Sequence, residues 1–210
     1  MTRITPVARD DVEDVLHDAL DFQETLLGLV PESLLTMAHR PRMAALFAEL
    51  ASECLQPGSL GRPLKQLVAY VASATTGCRY CQAHTAQSAG MVGVDPAKLN
   101  AAFEFETSDM FTDAERDALR LARDAALVPN DVTDGHFRDL TRWYSDEQIV
   151  EIVGVIALFG WLNRWNDTMA TTLEDSPLDW ATENLSPDRW EVGRHARDGE
   201  RRARSDVVKG

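Results

Sequence analysis

The sequence predicts an all-α fold, and three observations carry that prediction. Thr112-Asp-Ala-Glu115 and Ser145-Asp-Glu-Gln148 both fit a capping box, a hydroxyl answered three residues later by Glu or Gln. Apolar residues recur at three- and four-residue spacing, as in Leu64, Leu67, Val68 and Val71, and again in Leu119, Ala122, Ala125 and Ala126. No run of alternating β-branched residues occurs, and no Asn-Gly or Asp-Gly stands between apolar runs, so strand signals are missing.

The elements then follow in order, with ends set to within about 2–4 residues. Helical periodicity predicts helices over 8–28, 31–38 and 41–55, and the Pro-Gly-Ser of 56–62 makes that stretch a loop. A helix over 63–76 stops at Gly77, because glycine enters a left-handed cap without strain. The next covers 79–90. Asp95-Pro96 caps a helix over 95–103, a loop covers 104–111, and the two capping boxes open helices over 112–126 and 146–164, with another over 133–143 between them. Ile149 to Leu162 is apolar all round and is expected to be the most buried helix. A long connection is expected over 174–185, and Ser186-Pro187 opens a last helix over 186–196.

One internal echo points to a degenerate two-fold repeat. Lys65-Gln-Leu-Val-Ala-Tyr-Val71 is similar to Glu147-Gln-Ile-Val-Glu-Ile-Val153, and His84-Thr85 to Asp167-Thr168 after a one-residue slip. The second copy has no cysteines. Two amphipathic helices also look alike without any repeat.

At 210 residues, with 44% hydrophobic and 26% charged residues, the chain has globular composition. The organisation expected is one domain over 1–193, with its core over 60–170, and a basic, flexible tail over 194–210. That tail carries six basic against three acidic residues, a net +3, while the rest carries −16. The formal net charge of −13 repels a phosphate backbone, so nucleic acid is excluded as a partner. Ile152 to Leu162 is half the length of a bilayer span, so no membrane partner is expected. Asp10, Asp11, Glu13 and Asp14 interrupt the N-terminus before any apolar run, and the protein is expected to be cytoplasmic.

The chemistry concentrates in Thr76-Gly-Cys-Arg-Tyr-Cys-Gln-Ala-His-Thr85. If a helix starts at Cys78, then Cys78, Cys81, His84, Thr85 and Ser88 share one of its faces. Two thiols one turn apart reach disulfide geometry readily. Both lie in the first turn, where the helix dipole favours an anion and lowers a thiol pKa. His84 is one turn further on, a candidate proton acceptor for Cys81. A structural zinc site needs four ligands; two thiols and His84 fall short, and His17, His39, His136 and His195 are scattered, so no metal is expected. A structural disulfide does not suit an intracellular chain. Cys54 stands alone as a core thiol. Helix position favours Cys78 as the more acidic thiol; nearness to His84 favours Cys81.

Leu64 to Ala89, together with Asp146 to Thr168, resembles the carboxymuconolactone decarboxylase / AhpD-like alkylhydroperoxidase family. CxxC opens a helix there, after a Lys-Gln-Leu-Val helix and directly before His-Thr. Residues before the sixties and the tail carry no matching motif. The resemblance implies an all-helical homo-oligomer without metal or haem cofactor. It implies that Cys81 attacks a peroxide, that Cys78 closes the disulfide, and that an external thiol reductant restores both. Three positions depart from the peroxidase branch. Gln66 stands where that branch has a relay glutamate, Thr85 where it has a histidine, and Tyr80 where it has another histidine between the cysteines. Glu151 is a candidate replacement acid. Asn163, Trp165, Asn166 and Asp167 form a polar-aromatic cluster that is a candidate pocket lining, beside Trp161.

The function expected is therefore a thiol-dependent peroxidase that reduces a small hydroperoxide. Two other readings remain open: a redox-sensing or disulfide-handling protein without turnover, favoured by the lost glutamate and histidine positions, and a lactone decarboxylase, whose chemistry needs no cysteines.

Overall fold

The computed structural model describes residues 2–197, all-helical and without a strand among them. Its α-helices are α1 (His17–Leu27), α2 (Glu32–Met37), α3 (Pro41–Leu55), α4 (Arg62–Thr76), α5 (Arg79–Met91), α6 (Pro96–Asn100), α7 (Asp113–Ala126), α8 (Asp134–Leu140), α9 (Asp146–Met169) and α10 (Asp175–Asn184). Thr112 and Ser145 close their capping boxes with Glu115 and Gln148. The Asp95 side chain accepts from the Ala97 N–H at the start of α6. Gly77, at φ 78°, ends α4 in the left-handed region and releases the chain to begin α5 at once.

α4 is the central helix: α5, α7 and α9 all pack on it. Leu67, Val68, Val71, Ala83, Ala86, Leu119, Ala122, Ile152 and Val155 meet in this main core. A smaller cluster joins Leu16, Leu20, Leu34, Met37, Ala44 and Ala48 of the N-terminal helices, and Phe47 and Leu162 touch both. α10 lies on α5, close enough at Gly90 that an added Cβ would stand 2.7 Å from the Trp180 ring. That approach brings the residues before α10 over the first turns of α5.

Five expectations change. Arg9–Asp11 and Asp14–Leu16 form short 3-10 turns instead of the start of the first helix, because the acidic run there offers no apolar stripe. α9 continues past 164 to Met169, since its last turns are anchored from inside by buried Asn163 and Asn166. The connection expected over 174–185 is α10: Pro177 sits in its first turn, where no intrahelical N–H is needed. The helix expected over 186–196 is a strap with one 3-10 turn at Gly193–His195. Of residues 194–197, expected as the start of a tail, His195 and Ala196 pack into the body, with His195 1% exposed, while Arg194 and Arg197 stay exposed; 198–210 lie outside the described residues.

α9 is also less enclosed than expected, for Val150 is 70% exposed and Val153 and Trp161 share that open face. The sequence echo does not extend to the backbone. The first copy breaks at Gly77, whereas α9 runs unbroken through Phe159 and Gly160.

Glu151 does not reach the cysteines. It holds the buried Lys65, with Nζ 2.5 Å from Oε2, and accepts the Ser59 N–H and hydroxyl at 2.8 and 2.6 Å. Lys65 Nζ also donates to the Gln56 carbonyl at 2.8 Å. This clasp ties the loop before α4 to α9. Burial opposes the charge on Glu151, but Lys65 and Ser59 outweigh it and hold the carboxyl at about 2. Glu151→Gln leaves Lys65 buried without its counter-charge, so chemical denaturation at pH 7 should show a loss of about 3 kcal/mol. Because the folded-state pKa is depressed, the wild-type advantage is complete above the unfolded value of about 4.3 and disappears as pH falls towards about 2. Two denaturation curves that stay equally far apart from pH 7 to pH 2 would contradict this account.

Candidate active site

Cys78 is the N-cap of α5 and Cys81 lies one turn on, as the spacing predicts. Both thiols are buried. His195, which the sequence left among the scattered histidines, is the group that meets Cys78, and His84, expected as the proton acceptor for Cys81, pairs with Glu174 instead. The strap is laid over α5 by the Trp190 indole N–H, which donates to the Arg79 carbonyl at 3.0 Å, and by the Arg79 guanidinium, which donates to the Arg189 carbonyl at 2.7 Å. The Leu173 N–H donates to the His195 carbonyl at 2.9 Å and fixes the strap's end.

The His195 side chain is then fully oriented. Nδ1 lies 2.7 Å from the Thr171 carbonyl, which can only accept, so Nδ1 carries a proton. Nε2 lies 3.2 Å from Asp167 Oδ1. Cys78, His195 and Asp167 each present one atom, all within 4.8 Å of one another. The hydrogen bond from Cys81 is the largest influence on Cys78, and with the bond to His195 it overcomes burial and brings this thiol down to about 6. Burial works against a charged His195, yet Asp167 and Cys78 lift it to about 9. Cys78 is thus a thiolate at neutral pH, paired with an imidazolium. Cys81 behaves oppositely: burial first, then the negative Cys78 beside it, pushes its thiol well up. The Asn166 amide donates to Cys81 Sγ at 3.3 Å.

Cys81 opens on a cavity of about 120 Å³ with mostly apolar walls. Phe22 and Leu26 of α1, Phe47 of α3, and Phe159 and Leu162 of α9 form those walls; Gln66, Tyr80, His84, Thr85 and Asn166 supply its polar points. His84 Nε2 lies 2.7 Å from Glu174 Oε2, and the Tyr80 hydroxyl donates to Glu174 Oε1 at 2.7 Å. Glu174 also accepts the Glu32 N–H at 2.6 Å. Burial opposes ionisation of Glu174, but His84 and these donors overcome it and lower its pKa. The Tyr80 ring packs on His84 with centroids 4.4 Å apart and on His195 at 5.7 Å, so it separates the two imidazoles.

The remaining candidates divide. Asn166 and Asp167 reach the two cysteines' surroundings directly. Gln66 lines the cavity as a neutral amide. Thr85 spends its hydroxyl on the Cys81 carbonyl at 2.7 Å, a bond within α5. Trp165 packs on the N-terminal cluster and stacks with Trp161. Asn163 faces a separate cleft that also reaches Asp167. The sequence reading missed His195 and Glu174. Neither lies near the motif in sequence, and no local spacing marks them.

Comparisons with known proteins place the chain in a family and a fold. The carboxymuconolactone decarboxylase family model matches residues 41–124. The debrominase Bmp8, solved as a cysteine-to-alanine variant in complex with 2,3,4-tribromopyrrole, is 34% identical, with a TM-score of 0.79 over 87% of this chain and 97% of that one. Apo Bmp8 matches equally, at 34% identity and a TM-score of 0.78 over 87% and 98%. A peroxidase-related protein from Ralstonia eutropha JMP134 with an alkylhydroperoxidase AhpD core shares the fold at 21% identity, with a TM-score of 0.75 over 84% and 94%. No curated protein matches significantly. The chain belongs to the carboxymuconolactone decarboxylase family, in its AhpD-like fold.

The thiolate pair generates a direct measurement. Titration of thiolate ultraviolet absorbance in the reduced protein should show one thiol ionising near pH 6. In His195→Gln that midpoint should rise towards the free value of about 8.5, whereas His84→Ala should leave it in place. A midpoint that follows His84 and ignores His195 would overturn the assignment.

Proposed function

We propose that the protein is a dithiol-dependent reductase whose substrate is a small apolar electrophile bound over Cys81. The observation that carries this reading is the division of labour within one CxxC: a stabilised thiolate at Cys78, and a neutral thiol at Cys81 opening on an apolar cavity. Cys81 hands its proton along the hydrogen bond to Cys78 and becomes the attacking thiolate. Cys78 releases that proton to solvent, its thiolate again held by the His195 imidazolium, and then attacks the Cys81 sulfur and closes the disulfide. An external thiol reductant reopens it.

Two substrates fit this cycle. For an organic bromide, a C–Br bond breaks and a C–H bond forms, with bromide and a proton as the other products and two thiols oxidised to one disulfide. For a hydroperoxide, the O–O bond breaks and alcohol and water form with the same oxidation. The apolar lining of the cavity suits either as a compact apolar molecule. The 34% identical debrominase favours the halogenated aromatic. The peroxidase reading, first expected from the CxxC motif, keeps the support of the AhpD-like fold but has Gln66 in place of an ionisable relay. His84, oriented by Glu174, is the proton donor to the substrate in either case.

The apolar residues Leu46 and Leu50 on α3 and Val150, Val153 and Trp161 on α9 are exposed, which supports homo-oligomerisation through this face.

Steady-state assays with a dithiol reductant should show turnover of a bromopyrrole, with hydroperoxide turnover slower. Cys78→Ser and Cys81→Ser should each abolish it. His84→Ala and Glu174→Gln should lower kcat on the order of 10²-fold or more while the Cys78 thiolate titration stays unchanged. Reductant-independent product formation, or full activity in Cys78→Ser, would contradict the proposal.

A further inference from the structure

The cluster of Cys78, His195 and Asp167 is more complete than a disulfide cycle needs. A resolving thiol requires a base or a cation beside it; here it has an imidazole and a carboxylate, both fixed in orientation. The His195 ring donates Nδ1–H to the Thr171 carbonyl at 2.7 Å, which leaves Nε2 turned towards the cluster. This is the arrangement in which a histidine is held ready as a ligand, its far nitrogen pinned by a backbone carbonyl. Nε2 and Asp167 Oδ1 are 3.2 Å apart, and all three donor atoms fall within 4.8 Å of one another. Bond lengths of about 2.0–2.3 Å around a tetrahedral ion separate its ligands by roughly 3.3–3.8 Å, so a small contraction closes the set. Cys81 Sγ, hydrogen-bonded to Cys78, lies outside this set of three, which leaves the fourth position of a tetrahedral ion to solvent. Asp167 also lines the separate cleft that holds Thr75, Thr76, Asn163 and Arg164, and thereby gives an ion a way in that does not pass through the substrate cavity.

We propose that Cys78, His195 and Asp167 form a binding site for a soft divalent cation such as Zn²⁺, and that its occupation holds Cys78 reduced and stops turnover. A thiolate, a carboxylate and a neutral imidazole suit such an ion in donor softness and offset its charge. Binding exchanges a proton for metal: the imidazolium proton of His195 leaves, and no electron moves. A bound ion occupies the Cys78 sulfur lone pair, so the thiol that must close the disulfide is not available as a nucleophile. The metal site stands on the coordination set alone; only the inhibition rests on the function proposed above.

The test uses reduced full-length protein and Zn²⁺ alone, followed by calorimetry in buffers of different ionisation enthalpy, with Co²⁺ as a spectroscopic substitute. One ion should bind per chain with release of about one proton, and Co²⁺ should give a thiolate-to-metal charge-transfer band. His195→Gln and Asp167→Asn should weaken binding on the order of 10- to 100-fold or more. Wild-type protein with its dithiol oxidised, which needs no substitution, should lose binding, whereas Cys54→Ser should keep it. Absence of the charge-transfer band, or binding that survives oxidation and both substitutions, would overturn the site. Binding with all these properties but undiminished turnover at saturating Zn²⁺ would overturn the inhibition alone, and turnover absent in metal-free protein would count against the reductase reading instead.

Discussion

A buried thiolate has to have a buried cation, and the fold of this protein is arranged around supplying one. Cys78 loses all contact with solvent, so its charge is sustained only by donors on the protein: Cys81 from its own turn, and His195 from the far end of the chain. For His195 to arrive, the residues after α10 must return across α5 as a strap instead of forming another helix. The bonds between Arg79, Arg189 and Trp190 make that return. For Asp167 to hold the imidazole, α9 must run on to Met169. The length of α9, the position of α10 and the burial of the last described residues therefore follow from one electrostatic requirement.

The same requirement separates the two halves of the chemistry. Tyr80 stands between His84 and His195, so each imidazole serves one thing: His195 the Cys78 sulfur, His84 the cavity. Each has its own carboxylate, Asp167 in one case and Glu174 in the other. In the reductase proposed above, these two pairs let one site stabilise a thiolate and deliver a proton without one function cancelling the other. The apolar walls from α1, α3 and α9 then decide what reaches Cys81.

The helical class, the central helices, the capping boxes and the Gly77 break were legible because each is a local property of a few neighbouring residues. The dithiol was legible for the same reason: Cys78 and Cys81 are one helical turn apart wherever the rest of the chain goes. His84 was correctly placed on the motif's helix, yet its partner is Glu174 and not a thiol, and no local pattern announces a carboxylate that precedes α10. His195 was unreadable on two counts. It sits in a basic stretch whose composition reads as a solvated tail, and its role is created wholly by tertiary folding. Glu151 shows the reverse error: an acid on an apolar helix invites a catalytic reading, whereas its task is to neutralise Lys65.

The central claim is that oxidation of Cys78 and Cys81 to one disulfide is the reducing half of a chemical reaction at Cys81. A single-turnover experiment tests it most directly: reduced protein, freed of reductant, is mixed with excess bromopyrrole or organic hydroperoxide, quenched with acid and alkylating agent, and mapped by mass spectrometry. The account predicts one molecule of reduced product per chain, matched by one Cys78–Cys81 disulfide and an untouched Cys54. Product formed while both thiols remain free, or a disulfide formed with no product, would contradict it.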